Sequence, residues 1–173
     1  MKNFLILSLA ILLAACSEDQ TPLNEREVYD GPVKQGTDVV MTYSEETLKM
    51  VVLKAETLLE FKSGNREFPD GLFIEFYDQN EKLSSTLEGD KGYYYRAENL
   101  WKVTGDVSVV SFERNQQLNS EELYWDPDEE KIYTEKFVTI RLEREVIYGT
   151  GLVSNQDFTD YTIENPKGEF IVQ

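Results

Sequence analysis

Beyond residue 36 the sequence alternates. Leu72, Ile74 and Phe76, then Leu83 and Leu87, then Tyr93, Tyr95 and Ala97, then Val138, Ile140 and Leu142 hold the apolar positions of one parity, while Glu75, Ser84, Thr86, Glu88, Arg96 and Arg141 hold the other. Successive side chains of a strand point to opposite faces, so this pattern makes one side dry and the other wet. Segments rich in Val, Ile, Thr, Tyr and Phe recur roughly every 8 to 12 residues between Gly, Asn, Asp and Pro, which predicts an all-β, antiparallel chain. The expected strands are "DVVMTY", "LKMVVLKA", "TLLEF", "LFIEFYD", "KLSSTLEG", "GYYYRA", "LWKVTGDVSVVSF", "QLNSEELYW", "KIYTE", "FVTIRLE", "EVIYGTGLV", "DYTIEN" and "EFIVQ".

The connections read as turns. "DPDE" has Pro127 suited to the second turn position, with Asp126 and Asp128 able to cap it. Asp126, Asp128 and Glu130 are also spaced like part of a calcium loop, but the glycine and distal glutamate such a loop needs are missing. "GNREFPDG" (64–71) and "EGDKG" (88–92) read as hairpin connections. Three central stretches, beginning at Tyr93, Leu118 and Tyr133, share a weak rhythm that predicts solenoid-like stacking of strands around one apolar interior. Such stacking leaves strand edges open at both ends. Tyr93, Tyr94 and Tyr95 put rings on both faces, as in a cross-strand aromatic ladder. A single bulge would flip any such face assignment, notably at Val109 and Val110.

The amino terminus has a different texture. Lys2, the uncharged run "FLILSLAILLAA" and small residues before Cys16 make a signal peptide (1–15), and the run is too short to span the roughly 20 residues of a transmembrane helix. "Leu13-Ala14-Ala15-Cys16" resembles a bacterial lipobox, which predicts Cys16 as an acylated lipid anchor. Residues 16–36, polar with two prolines and two glycines, follow as a flexible tether, and 37–173 form the β domain.

Composition removes many functions. The net charge of −16 argues against nucleic acid and against adhesion to anionic headgroups, so a lipid ligand would be held by its apolar part or through bridging cations. One cysteine permits no internal disulfide, so core burial must hold the domain together. The absence of histidine excludes His-based triads, His general bases and the usual zinc sites. Glu143 with Glu145, or Glu121 with Glu122, could nominally make a glycosidase pair, but among 33 acidic residues such pairs arise by chance. No enzyme activity, cofactor or metal is expected.

Four segments, in order, are similar to the LptC family of lipopolysaccharide export: "LWKVTGDVSV" (100–109), "LNSEELYWD" (118–126), "IYTEKFVTI" (132–140) and "IYGTGLVSNQDF" (147–158). The resemblance implies a bent, partly open antiparallel β-jellyroll of two facing sheets whose interior receives the acyl chains of lipid A. It implies a protein on the periplasmic side of the inner membrane, beside an ABC transporter, passing lipopolysaccharide to a periplasmic bridge protein of the same fold through strand edges. A lipobox stands here where many members have an uncleaved transmembrane helix, and Ser17 follows the cysteine where enteric inner-membrane lipoproteins have Asp. The expected groove residues are Ile74, Phe76, Leu83, Leu87, Val107, Val109, Leu123, Trp125, Val138, Ile140 and Ile147, with Gly149 and Gly151 as bend or bulge positions. The alternative is a lipid-anchored surface or outer-membrane β-sandwich that binds glycan or protein.

Overall fold

A computed structural model describes residues 29–45 and 48–167, and the predicted signal peptide, the acylated Cys16 and the final segment "EFIVQ" lie outside that range. Among the described residues there are eleven strands: β1 (Lys34–Glu45), β2 (Leu48–Glu60), β3 (Arg66–Phe68), β4 (Leu72–Tyr77), β5 (Leu83–Gly89), β6 (Lys91–Tyr95), β7 (Leu100–Ser111), β8 (Gln116–Asp126), β9 (Lys131–Arg141), β10 (Val146–Asn155) and β11 (Tyr161–Lys167). All lie in the unit Gly31–Gln173. Every pairing is antiparallel, in the order β1-β2-β4-β5-β7-β8-β9-β10-β11, with β3 and β6 bridging from β2 to the first half of β7.

One line crosses all of these strands. The β1 register skips Asp38, the β7 register shifts between Thr104 and Val107, the β8 register between Ser120 and Tyr124, and the β10 register between Thr150 and Leu152. At the same level β3 turns into β4 at Asp70–Gly71 and β5 into β6 at Asp90. Asp38, Gly71, Gly105, Asp106 and Gly151 all have left-handed φ there, at 51°, 90°, 77°, 41° and 78°. Bulges at one level in β7, β8, β9 and β10, in line with the chain turns at Asp70–Gly71 and Asp90, bend the sheet along a crease. The sheet therefore has two arms whose dry faces meet. Phe76 on one arm touches Trp125 on the other edge to face at 5.0 Å.

The crease also resets the alternation. On β8 the inward residues are Gln116 and Leu118 before it, and Leu123 and Trp125 after it; on β10 the inward parity changes between Gly149 and Leu152. Parity on β7 persists, with Trp101, Val103, Val107 and Val109 all inward. The flip foreseen at Val109–Val110 thus falls elsewhere, on β8 between Ser120 and Tyr124 and on β10 at Gly151, whose left-handed φ glycine adopts without strain.

Several boundaries differ from the sequence expectation. "LKMVVLKA" with "TLLEF", and "KIYTE" with "FVTIRLE", each form one continuous strand, β2 and β9. Glu56 and Lys136, which fall between the expected segments, are crease residues in strands that run on. The supposed connection 64–71 contains β3, whose Phe68 is fully buried. β1 starts at Lys34, inside the segment read as tether. The "DPDE" turn is as expected, with the Asp126 carboxylate accepting from the backbone N–H of Asp128 and Glu129 at 3.0 and 3.1 Å.

Candidate functional site

The expected groove residues share one interior. Ile74, Phe76, Leu87, Val107, Val109, Leu123, Trp125, Val138 and Ile140 are all buried, drawn from both arms, and belong to one apolar cluster with Phe68, Leu72, Trp101, Leu118, Ile132, Leu152 and Phe158. Ile147 packs against this cluster half-buried, and Leu83 is also half-buried at the β4–β5 end. For these residues the inward face is as read from alternation, but on β6 the parity is the reverse of that reading: Tyr94 packs on Trp101, Tyr93 stands opposite Lys102, and Ala97 is exposed. These side chains bury one another, however: the interior is a packed core, where the sequence reading anticipated a standing hollow. Along one arm Trp101 lies 5.7 Å from Phe68, 4.8 Å from Tyr94 and 5.8 Å from Trp125 between ring centroids.

The side opposite the crease is closed by the loop between β10 and β11. Gly149 and Gly151 lead into it. A side chain at Gly149 would strike Ile163 of β11, and one at Gly151 would strike the Glu164 carboxylate, so both glycines let β11 pack close. The chain then turns on Asn155, whose Oδ1 accepts from the N–H groups of Thr159 (2.9 Å) and Asp160 (3.1 Å). This Asx-type turn throws Phe158 inward with φ 51°, fully buried and stacked 5.2 Å from Tyr161.

Four side chains hold the loop across the mouth. Ser84 Oγ donates to Asp157 Oδ1 (3.1 Å), Ser85 Oγ to the Gln156 carbonyl (3.1 Å), Trp125 Nε1 to Gln156 Oε1 (3.2 Å), and Gln116 Nε2 to the Phe158 carbonyl. Ser84, Ser85 and Gln116 lie on the same side of the crease as Phe76, and Trp125 lies on the other, so the loop clasps the two arms together. Burial raises the Tyr161 phenol above its ordinary pKa, helped by the negative charge of Glu145 in the β9–β10 turn. The sequence reading missed the clasp residues Ser85, Gln116 and Phe158. Only the "N-x-x-F" at the end of the last quoted segment, Asn155 to Phe158, marked the place.

The wet faces carry different chemistry. Tyr124 and Tyr133 stack at 5.3 Å, and Lys102 lies over Tyr124 at 5.4 Å while pairing with Glu122 at 2.7 Å. The hydrogen bond to Glu122 is the largest of the contacts that hold the Lys102 ammonium well above the usual lysine range. On β6, Tyr94 turns inward against Trp101, beneath the Arg66 guanidinium, which makes the tyrosine run part of an aromatic ladder. A surface depression on the outside of the crease is lined by Asp38, Glu56, Asp70, Glu88, Asp90 and Asp106 with Lys54, and its charge disfavours an anionic ligand. Glu143 and Glu145 stand exposed in a turn, and Glu122 is tied to Lys102, so neither carboxylate pair faces a partner across a cleft.

A family model described as LptC: Lipopolysaccharide-assembly, LptC-related, matches residues 4–165. No curated protein matches the chain at a significant level.

Proposed function

The chain belongs to the LptC-related family of lipopolysaccharide assembly, and from that premise we propose that it receives lipopolysaccharide from an ABC transporter of the inner membrane and passes it onward between its two arms. Membership carries a role in lipopolysaccharide transport as a periplasmic component associated with the inner membrane, in a family of transport-associated rather than enzymatic proteins. Our further reading is that Cys16 carries acyl chains that hold the domain at that membrane, and that a free strand edge pairs with a bridge protein of the same fold. Acyl chains occupy the interior while the sugars stay in water.

The observation that carries this reading is the apolar layer shared by both arms. It runs from Phe68 through Trp101, Trp125 and Phe76 to Phe158, and its strands cross from arm to arm only at the crease. Parting the arms exposes apolar surface at about 25 cal/mol per Å². An acyl chain that takes the vacated place returns about 0.8 kcal/mol per buried CH₂, so exchange of core contacts for lipid contacts is close to balanced. Transport needs such balance, because a carrier that grips too hard does not release.

A photo-crosslinking residue at Phe76 or Ile140 tests the reading in cells. Capture of lipopolysaccharide is the expected result. Capture of polysaccharide or protein with no lipid adduct would instead favour a surface-binding lipoprotein.

A further inference from the structure

We infer that the β10–β11 loop is a removable clasp, and that the mouth beneath it, made by Ser85, Ser111 and Gln116, binds the amide or ester carbonyl of an acylated saccharide. This inference rests on the lipid reading above and specifies where the polar end of each chain is held.

The three residues are neighbours. Ser85 pairs with Ser111 across β5 and β7, and Ser111 with Gln116 across β7 and β8, all on the inward face. Ser85, Ser111 and Gln116 are buried polar residues set together in a layer filled chiefly by Leu, Val, Ile and aromatic residues. The groups they meet are informative. Ser85 Oγ and Gln116 Nε2 donate to the main-chain carbonyls of Gln156 and Phe158, both of which are amide carbonyls. The Phe158 ring is the hydrocarbon next to them. The loop thus places an amide carbonyl with an apolar substituent in the mouth, which is the chemistry of an N-acyl or O-acyl chain at its point of attachment.

A third donor is unspent. Ser111 Oγ is fully buried and has no hydrogen-bond partner among the described residues. A buried hydroxyl without a partner is unfavourable in the resting protein and has no role in holding the loop. It is one place from each of the two donors that the loop satisfies, so a ligand with a second carbonyl or a hydroxyl near the first would use it. The clasp is also built to let go. Phe158 holds a left-handed φ that a bulky residue rarely adopts, and release of the loop relaxes it.

A staple tests the clasp. In the full chain carrying Cys16→Ser, Ser84→Cys and Asp157→Cys replace a pair already in contact at 3.1 Å, and the two thiols are joined as a disulfide or through a short bifunctional thiol reagent. Binding of purified lipopolysaccharide is expected to fall at least tenfold when the loop is stapled and to recover when the disulfide is reduced. Equal binding by stapled and reduced protein would overturn the clasp while leaving the lipid reading intact. Absence of binding by every form, unstapled protein included, would overturn the lipid reading and this inference with it.

The mouth has its own test. Ser111→Ala is expected to raise the thermal midpoint slightly, and to weaken N-dodecanoyl glucosamine about fivefold more than dodecyl glucoside, which has the same chain length and no carbonyl. Equal effects on the two probes would remove the carbonyl from the inference.

Discussion

At Gly151 the backbone takes φ 78°, and a methyl group there would meet the Glu164 carboxylate. Gly151→Ala is expected to lower stability by about 1–2 kcal/mol from the left-handed backbone alone, read as a lower denaturant midpoint at unchanged slope. Ile140→Ala, at a fully buried site, is expected to cost about 2–5 kcal/mol through lost burial and the cavity left behind. An effect below 1 kcal/mol would mean that the interior around Ile140 is loosely filled. Residues such as Ile140 were legible because period two assigns a face without knowledge of the fold. Phe158 was not, since it lies in a polar turn where no period operates, and it is held inward by Gln116 at its carbonyl and Tyr161 at its ring. Ser111 was hidden for the opposite reason: alternation places it on the dry face, where a serine is unremarkable until its missing partner is seen.

Strands that share the crease were legible as segments and misread at their breaks, because Glu56 and Lys136 look like turn residues and lie within continuous strands, Lys136 in a bulge. Mid-sheet and edge strands should differ in dynamics. Native-state hydrogen exchange is expected to protect the paired amides of β7, β8 and β9 most strongly, and those of β1 and β11 least, since each of the latter pairs on one side only among the described residues. Protection of β1 equal to that of β8 would show its outer edge to be covered. Tyr133 on the wet face and Tyr161 beside the clasp fix a pH response. Burial raises the phenols of Tyr133 and Tyr161 above the usual value of 10.0, so the folded state holds those protons more tightly than the unfolded chain. That contribution is complete below pH 10 and is lost as pH rises beyond it. Lys102, also raised, acts with the same sign. The thermal midpoint is therefore expected to fall above about pH 10, and to fall less in the Tyr133→Phe, Tyr161→Phe double variant.

Across the whole molecule, charge and shape are coupled. Asp38, Glu56, Asp70, Asp90, Asp106, Glu121, Glu135 and Glu164 fall on or beside the one line where the sheet bends, in a chain of net charge −16. Like charges at this spacing repel, and salt screens them over about 10 Å at 0.1 M. Raising ionic strength from low to physiological is expected to raise the thermal midpoint by a few degrees, and Asp90→Asn with Asp106→Asn to shrink that gain; no salt dependence would separate these charges from stability. The all-β class and the apolar interior were readable from alternation, and the jellyroll from the resemblance. The crease was not, because each strand marks it with a different residue, and only registers across neighbours line the marks up.

The clasp also has a place in time. Residues 155–160 are synthesised after β2 to β10, yet their partners lie as far back as Ser84 and Ser85. A nascent chain can pair those strands and bury much of its oily face while the last fastening is still unmade. The last contact to form is therefore also the one whose loss leaves every strand pairing of β2 to β10 in place.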